Sequence, residues 1–215
     1  MDEKIVTKGV CSICKSVVSR AGAKSHINKC LDQVDESAND AFLIKVQWPH
    51  KNPIYWLYLS VPFKSTLEKL DSYLRNVWLE CCGHLSQFVI NHKRYSSDFE
   101  SDPYISYQEF PMTIRCDKVL FPNVKFTHEY DFGTTTELLL EVVGVIKAVS
   151  KNKIELLMRN QEPTFICSFC DKTAAFACSQ NEYRFCNDCV DFDDERLYLL
   201  PLLNSPRTGV CGYGG

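Results

Sequence analysis

The alternation of apolar and polar residues predicts strands on both sides of a single helix. Every second position is apolar over one early segment, namely Phe42, Ile44, Val46 and Trp48, which is typical of a strand with one buried face. Ile54–Val61 follows a turn bounded by prolines and completes a predicted hairpin. We expect further strands at 87–95, 125–132, 137–147 and 153–159, and mostly loop at 96–122, where several prolines and Asp-Pro-type breakers occur.

Helical periodicity is concentrated in one segment. Its apolar residues recur at the three- and four-residue spacing of an amphipathic helix, at Leu67, Leu70, Leu74, Val77 and Trp78. Ser65 and Glu68 stand before it with the spacing of a capping box. The pattern predicts a helix over 66–80 and an α+β core over 41–160.

Composition and charge indicate a globular chain with an uneven charge distribution. Of 215 residues, 24 are Lys or Arg and 27 are Asp or Glu, a net charge of -3, and 45% are hydrophobic. Residues 1–30 carry a local charge of +4 and residues 31–40 one of -4. We expect a zinc finger at 1–32, an acidic linker at 33–40, the core at 41–160 and a second zinc module with a tail at 161–215. Neither a signal-peptide pattern nor a run of about 20 apolar residues is visible, so we predict a cytoplasmic protein that does not bind membranes.

The 12 cysteines carry the clearest chemistry. The first group is Cys11-x2-Cys14-x11-His26-x3-Cys30. A close Cys pair from a turn, followed by two ligands four residues apart on one face of a helix, is the arrangement that tetrahedral zinc requires. About 30 residues bury too little apolar surface to fold alone, so metal binding would supply the folding free energy. Free thiols or redox use are the less favoured alternatives.

The second group is Cys167-x2-Cys170-x15-Cys186-x2-Cys189, a spacing typical of zinc ribbons. Four thiolates form a closed structural site with no open coordination position, which disfavours zinc catalysis. We therefore expect two zinc ions in the protein. Cys178 lies between the pairs, and Asp188, Asp191 or Asp193 offers it a partner for another site, although a buried thiol is the simpler interpretation.

Other cysteine and histidine positions give weaker signals. Cys81-Cys82-Gly83-His84 resembles a metal site or a Cys–His nucleophile, but adjacent residues rarely chelate one ion. A buried free cysteine behaves as a small hydrophobic residue, so catalysis by Cys81, Cys82 or Cys116 is disfavoured. The role of Cys81, Cys82 and His84 stays open, as does metal binding by Cys178 or Cys211. Asp131-Phe132-Gly133 matches the magnesium triplet of kinases by letters alone. His50, His92 and His128 are isolated, which favours ordinary surface or core roles.

Several longer blocks resemble one family. The blocks are Thr66–Arg75, Trp78–Ser86 (with the run Trp-Leu-Glu-Cys-Cys-Gly-His), Tyr130–Leu138, Leu200-Pro201 and Asn204–Tyr213. They resemble the family named after the third open reading frame of a root-inducing plasmid, whose members are described as insertion-element passenger proteins or resolvases. The resemblance implies an α+β core with a mixed or antiparallel sheet and a helix packed on it. In longer members it also implies a C-terminal zinc module with a second Cys-x-x-Cys. This chain has Cys178 and Asn181 at that position, which implies the loss of one zinc site.

These observations favour a zinc-binding, non-catalytic adaptor. The basic finger offers Lys15, Arg20, Lys24 and Lys29 to phosphates, and modest charge favours RNA or a ribonucleoprotein, including the ribosome, over DNA. A protein–protein adaptor that uses the zinc modules and the acidic run at 191–195 is the alternative. An enzyme is disfavoured because no nucleophile stands at a recognisable spacing from a base.

Overall fold

The computed structural model describes residues 5–32, 39–99, 109–150, 152–181, 183–192, 194 and 198–215. Within these residues there are two α-helices, α1 (Ala23–Leu31) and α2 (Leu67–Leu74). The strands are β1 (Lys8–Cys11), β2 (Val17–Ser19), β3 (Asp40–Gln47), β4 (Trp56–Pro62), β5 (Ser86–Ile90), β6 (Lys93–Ser96), β7 (Glu109–Pro111), β8 (Lys125–Tyr130), β9 (Thr136–Lys147), β10 (Glu155–Asn160), β11 (Phe176–Cys178), β12 (Arg184–Phe185) and β13 (Leu199–Pro201). The predicted α+β class is confirmed.

Ten strands form one large sheet in the order β2-β1-β10-β4-β3-β9-β8-β5-β6-β7. Within the described ranges every pairing in it is antiparallel except that of β6 with β7. The predicted hairpin is present as β3 and β4, paired from Ala41–Pro62 to Gln47–Trp56. The remaining three strands form a small sheet in the order β12-β11-β13.

The single strand predicted over 87–95 is wrong. The chain turns at Asn91 and His92, which both have positive φ (49° and 65°), and β5 and β6 pair across this turn. Two successive left-handed residues are what a two-residue hairpin turn needs. Glycine is the usual second residue of such a turn, and His92 takes its place here. The sequence therefore lacks the usual turn signal between the two strands.

The helix predicted over 66–80 is present in two parts. An α-helix covers Leu67–Leu74, and a π-helical turn continues it over Arg75–Leu79. The N-terminal cap is Thr66, whose side chain accepts a hydrogen bond from the backbone N–H of Lys69. The cap therefore lies one residue after the Ser65 that the capping-box spacing indicated. The π-helical turn buries both Trp78 and Leu79 before the chain leaves the helix at Glu80.

The two helices pack on opposite faces of the large sheet. Leu67, Leu70 and Leu74 of α2 join the main core, which takes Leu57 and Leu59 from β4. Ala23 and Ile27 of α1 join a second core with Trp56 and Tyr58, the β4 residues that alternate with Leu57 and Leu59. Since successive strand residues point to opposite faces, α1 and α2 lie on different sides of β4.

The N-terminal hairpin extends the large sheet. β1 pairs with β10 from Gly9–Asn160 to Cys11–Met158. A Cβ atom at Gly9 would lie 2.3 Å from Cη2 of Trp56, so only glycine fits between these strands. The finger predicted over 1–32 is thus attached to the core by backbone hydrogen bonds. Most of the predicted acidic linker, residues 33–38, lies outside the described residues.

Neither helix in the described residues has the length and apolar character needed to cross a membrane.

Candidate metal centres

The N-terminal hairpin and α1 bring Cys11, Cys14, His26 and Cys30 together. Cys11 ends β1, the following turn presents Cys14, and α1 carries His26 and Cys30 one helical turn apart. The Sγ atoms of Cys11 and Cys30 are 3.9 Å apart, those of Cys14 and Cys30 3.7 Å, and Nε2 of His26 is 3.2 Å from Cys14 Sγ. Zinc bonds of about 2.3 Å to sulfur in a tetrahedron place two sulfurs about 3.8 Å apart. The group fits one zinc ion.

The thiols of this group differ in acidity. Hydrogen bonds with the side chain and backbone of Ser16 lower the pKa of Cys14 to about 6. Partial burial, followed by the neighbouring Cys14 and Cys11, raises the pKa of Cys30 to about 12. One thiol is therefore ready to bind metal as a thiolate near neutral pH, and the other must lose its proton as the ion binds.

The second group, Cys167, Cys170, Cys186 and Cys189, is also brought together. Two turns flank the small sheet, one before β11 and one after β12, and each supplies one Cys-x-x-Cys pair. Sγ of Cys170 lies 3.6 Å from Cys186 and 3.5 Å from Cys189. These distances fit a closed site of four thiolates.

The thiols of the second group also differ in acidity. Burial raises the pKa of Cys167, but backbone hydrogen bonds at Phe169 and Cys186 outweigh it and lower the value to about 6. Hydrogen bonds with Cys170 and Cys186 raise the pKa of Cys189 to about 12. Backbone N–H groups directed at sulfur are the usual means by which such turns stabilise thiolates.

Cys178 stands apart from these ligands. It is buried in β11, and its Sγ lies 4.0 Å from Oε1 of Gln180. Among the carboxylates considered as partners for it, Asp188 forms an ion pair with Lys172, and Asp193 lies outside the described residues. In the part of the chain that the structure describes, Cys178 belongs to no group of metal donors, in agreement with a buried thiol.

The structure forms a third group of donors, which the sequence analysis disfavoured as a metal site and did not connect with Cys211. Cys81, Cys82, His84 and Cys211 place one donor atom each within 4.8 Å of one another. The first three lie in the loop after α2, whereas Cys211 comes from the C-terminal segment 127 residues beyond His84. Their adjacency in sequence argued against chelation, and no spacing rule relates them to Cys211. The run from Cys81 to His84 was the one signal of this group in the sequence, and nothing in it indicated Cys211.

The four basic residues of the finger lie around α1. Lys24 and Lys29 are exposed on α1, and Lys15 is exposed in the turn between β1 and β2, where its Nζ donates to the carbonyl of Ser12 at 2.8 Å. Arg20 lies in a 3-10 turn before α1 and is half-buried. The structure thus places all four on the finger, and both helix lysines are exposed while Ile27 of the same helix is buried.

The fold and the clustered donors define a class, namely an α+β protein with one large, mostly antiparallel sheet and Cys/His groups that can hold metal ions. The chain belongs to the plasmid pRiA4b ORF-3-like protein family, whose model matches residues 40–164. The resemblance noted in the sequence is thereby confirmed. Cys81, Cys82 and His84 lie inside the matched residues, whereas the other two groups and Cys211 lie outside them.

Other comparisons add little about function. A search of curated proteins finds no match. A crystal structure of a protein of unknown function from Methanosarcina mazei Go1 is similar to this chain, with 11% identity and a TM-score of 0.47, over 60% of this chain and 72% of that one.

Proposed function

We propose that this protein is a non-catalytic, zinc-stabilised adaptor that binds RNA, or a ribonucleoprotein, through its N-terminal finger. The observation that carries the proposal is the orientation of α1. Its apolar side, Ala23 and Ile27, is buried against the large sheet, so Lys24 and Lys29 face outward. A bound ion between the hairpin and α1 would fix this orientation.

Positive charge around the finger continues onto the adjacent face of the large sheet. Lys45 of β3 is half-buried, and its pKa is lowered chiefly by burial, with Arg20 and Lys125 adding to the effect and Glu141 opposing it. Register places Lys45 beside Glu141 and Glu141 beside Lys125 on one face of the sheet. Three cations around one carboxylate give a net positive surface next to α1, where phosphate groups gain electrostatic free energy.

Exposed aromatic side chains favour RNA with unpaired bases over duplex DNA. Phe169 and Tyr183 of the C-terminal module are 57% and 52% exposed, with ring centroids 5.3 Å apart. Exposed rings of this kind stack on unpaired bases and have no counterpart in the recognition of a duplex backbone. We therefore propose contacts to phosphates and stacked bases with little sequence preference.

The non-catalytic part of the proposal rests on the donor sets. Each of the two predicted ions would have four protein ligands and no position open to water or substrate. Cobalt substitution tests this point, because four-coordinate protein-ligated cobalt and cobalt with a bound water have different visible spectra. A water-ligated spectrum would contradict a purely structural role.

The main test is RNA binding by charge-reversed variants. The probe is a fluorescent RNA hairpin with a single-stranded loop, titrated at several salt concentrations. We expect Lys24→Glu with Lys29→Glu to weaken binding about tenfold or more. The slope of log K against log salt should fall by about 1.4 to 1.8, as the loss of two phosphate contacts requires.

The matched control is Lys64→Glu with Lys69→Glu. Both lysines are exposed, and Lys69 lies on α2, on the opposite side of the sheet. The control variant changes the net charge by the same amount as the finger variant. It should bind the RNA with nearly the wild-type affinity. Equal affinity of the finger variant and the wild type, with metal content unchanged, would refute the RNA proposal.

A protein–protein adaptor is the second candidate. β2 lies at the edge of the large sheet, and its Val17 is 52% exposed. An exposed edge strand with apolar side chains is a site where an extended peptide can add to a sheet. A complex that survives RNase and DNase, and that is lost on Val17→Lys but retained on Lys24→Glu with Lys29→Glu, would favour this function.

A further inference from the structure

The group formed by Cys81, Cys82, His84 and Cys211 has the geometry of a metal site. Sγ of Cys82 lies 3.6 Å from Sγ of Cys81, 3.9 Å from Sγ of Cys211 and 3.0 Å from Nε2 of His84. The same Nε2 atom is 3.2 Å from Sγ of Cys211. These separations match those of the N-terminal group, which run from 3.2 to 3.9 Å.

The loop backbone explains how adjacent residues direct their side chains to one point. Gly83 has a φ of 77°, a left-handed conformation that reverses the chain between Cys82 and His84. Cys211 also has positive φ, 49°, and Gly212 follows with 69°. Both segments are therefore tight turns, each of which directs sulfur or nitrogen donors toward the other.

Hydrogen bonds hold the loop in this form. The hydroxyl of Tyr130 accepts from the backbone N–H groups of Cys81 at 3.4 Å and His84 at 3.3 Å, and it donates to Oε1 of Glu80 at 3.1 Å. Oε1 of Glu80 also accepts from the backbone N–H of Gly83 at 2.7 Å. Supporting groups of this kind keep ligands in place around a metal ion.

Charge around the group suits an ion bound by several thiolates. Arg207 is fully buried, and its Nη2 lies 3.5 Å from Sγ of Cys81 and 2.6 Å from Oδ2 of Asp131. Three thiolates exceed the charge of one divalent ion by one unit. The Arg207 guanidinium directs a positive group at one of these sulfurs, while Asp131 balances its formal charge.

We propose that Cys81, Cys82, His84 and Cys211 form a third zinc site, and that its ion fastens the C-terminal segment to the core. Three sulfurs and one imidazole in a compact group are the donor set that zinc prefers. The segment that carries Cys211 begins at β13, which belongs to the small sheet of the C-terminal module. The third ion therefore joins that module to the loop after α2.

Contacts along the segment show the same attachment. Nδ2 of Asn204 donates to the carbonyl of Asn160 at 2.9 Å, and Oγ of Ser205 donates to the carbonyl of Trp78 at 2.6 Å. The ion at Cys211 would complete this series of attachments to β10 and to the π-helical turn after α2.

The test is the zinc content of intact purified protein, measured by native mass spectrometry and elemental analysis. We expect three ions in the wild type and two in Cys211→Ser. His84→Cys offers four thiolates in place of three and a histidine, so it should retain three ions. The matched control is Cys116→Ala, because Cys116 is buried and lies outside all three groups; it should also retain three.

Hydrogen exchange separates loss of the ion from general unfolding. In Cys211→Ser, exchange at residues 204–213 should accelerate at least tenfold, while β3 and β9 keep the wild-type rate. Two ions in the wild type, three in Cys211→Ser, or a disulfide between Cys82 and Cys211 in peptides mapped without reduction would each overturn the proposal. RNA binding through the finger is measured separately, and its failure would leave the third site unaffected.

Discussion

Arg207 and Asp131 form an ion pair in the interior, with Nη2 of Arg207 2.6 Å from Oδ2 of Asp131, although 76 residues separate them in sequence. Asp131 has positive φ and directly follows β8, and its Oδ1 accepts from the backbone N–H groups of Gly133 and Thr134. Nη1 of Arg207 donates to the carbonyl of Thr134 at 3.1 Å. One guanidinium thus connects the β8–β9 turn to the C-terminal segment.

Loss of this pair should be costly. Arg207→Met leaves the Asp131 carboxylate buried without its partner, and we expect the free energy of unfolding to fall by about 3 to 5 kcal/mol. The measurement is urea denaturation with zinc in excess. As a control, Arg115→Met removes a pair with Asp117 in which the arginine side chain is 44% exposed, and it should cost less than about 1 kcal/mol. Similar losses in both variants would contradict the interpretation.

Gly9 is required by close packing between strands. A Cβ atom there would lie 2.3 Å from Trp56 and 2.9 Å from Cγ of Met158. We expect Gly9→Ala to lower the free energy of unfolding by about 1 to 3 kcal/mol, because the buried Trp56 ring must move. Gly144→Ala in β9 is the control, since nothing lies within 4 Å of its added Cβ. In thermal denaturation, the midpoint temperature of Gly9→Ala should lie clearly below that of Gly144→Ala. The opposite order would refute the packing argument.

Ionisation of Cys116 in the unfolded chain should make the folded protein less stable at alkaline pH. Burial, together with the Asp117 carboxylate, raises the pKa of Cys116 to about 12 from its ordinary value near 9. Above pH 9 the unfolded chain loses this proton and the folded chain keeps it. The contribution of the Cys116 thiol to the free energy of unfolding is therefore complete below pH 9. It falls by up to about 1.4 kcal/mol per pH unit between pH 9 and pH 12.

The Cys116→Ala variant isolates this effect. Urea denaturation at pH 8 and at pH 10 should show the stability difference between wild type and Cys116→Ala shrinking by about 1 kcal/mol at the higher pH. A difference that is the same at both values would show that the thiol ionises equally in the folded and unfolded chains.

Removal of the ion proposed for the N-terminal group should loosen one edge of the large sheet. Cys11 ends β1, and the backbone N–H of Ser12 donates to the carbonyl of Leu157 in β10 at 2.8 Å. Cys30→Ala, or a chelator, should accelerate hydrogen exchange about tenfold or more in residues 8–19 and 23–31 and leave β3 and β9 unchanged. Unchanged exchange in β1 after the ion is lost would mean that strand pairing alone holds the hairpin.

Local patterns allowed much of this structure to be predicted. The β3–β4 hairpin and the first part of the helix from Leu67 follow from periodicity, and the donors at Cys11 and Cys167 follow from spacing, because each depends on residues near one another in the chain. The group at Cys81 and Cys211 depends on a tertiary contact across 130 positions and on the left-handed turn at Gly83. Neither leaves a periodic signal in the sequence.

Pairing of β1 with β10 has a consequence for the order of folding. Gly9 and Asn160 are neighbours in the sheet, so closing this contact requires roughly 150 residues of intervening chain to be present and ordered. The hairpin and α1 need only residues 8–31 and a metal ion, so during synthesis they can form long before their partner strand exists. The finger would then dock as a preformed unit onto β10, the last core strand in the chain, and would extend the sheet at that edge.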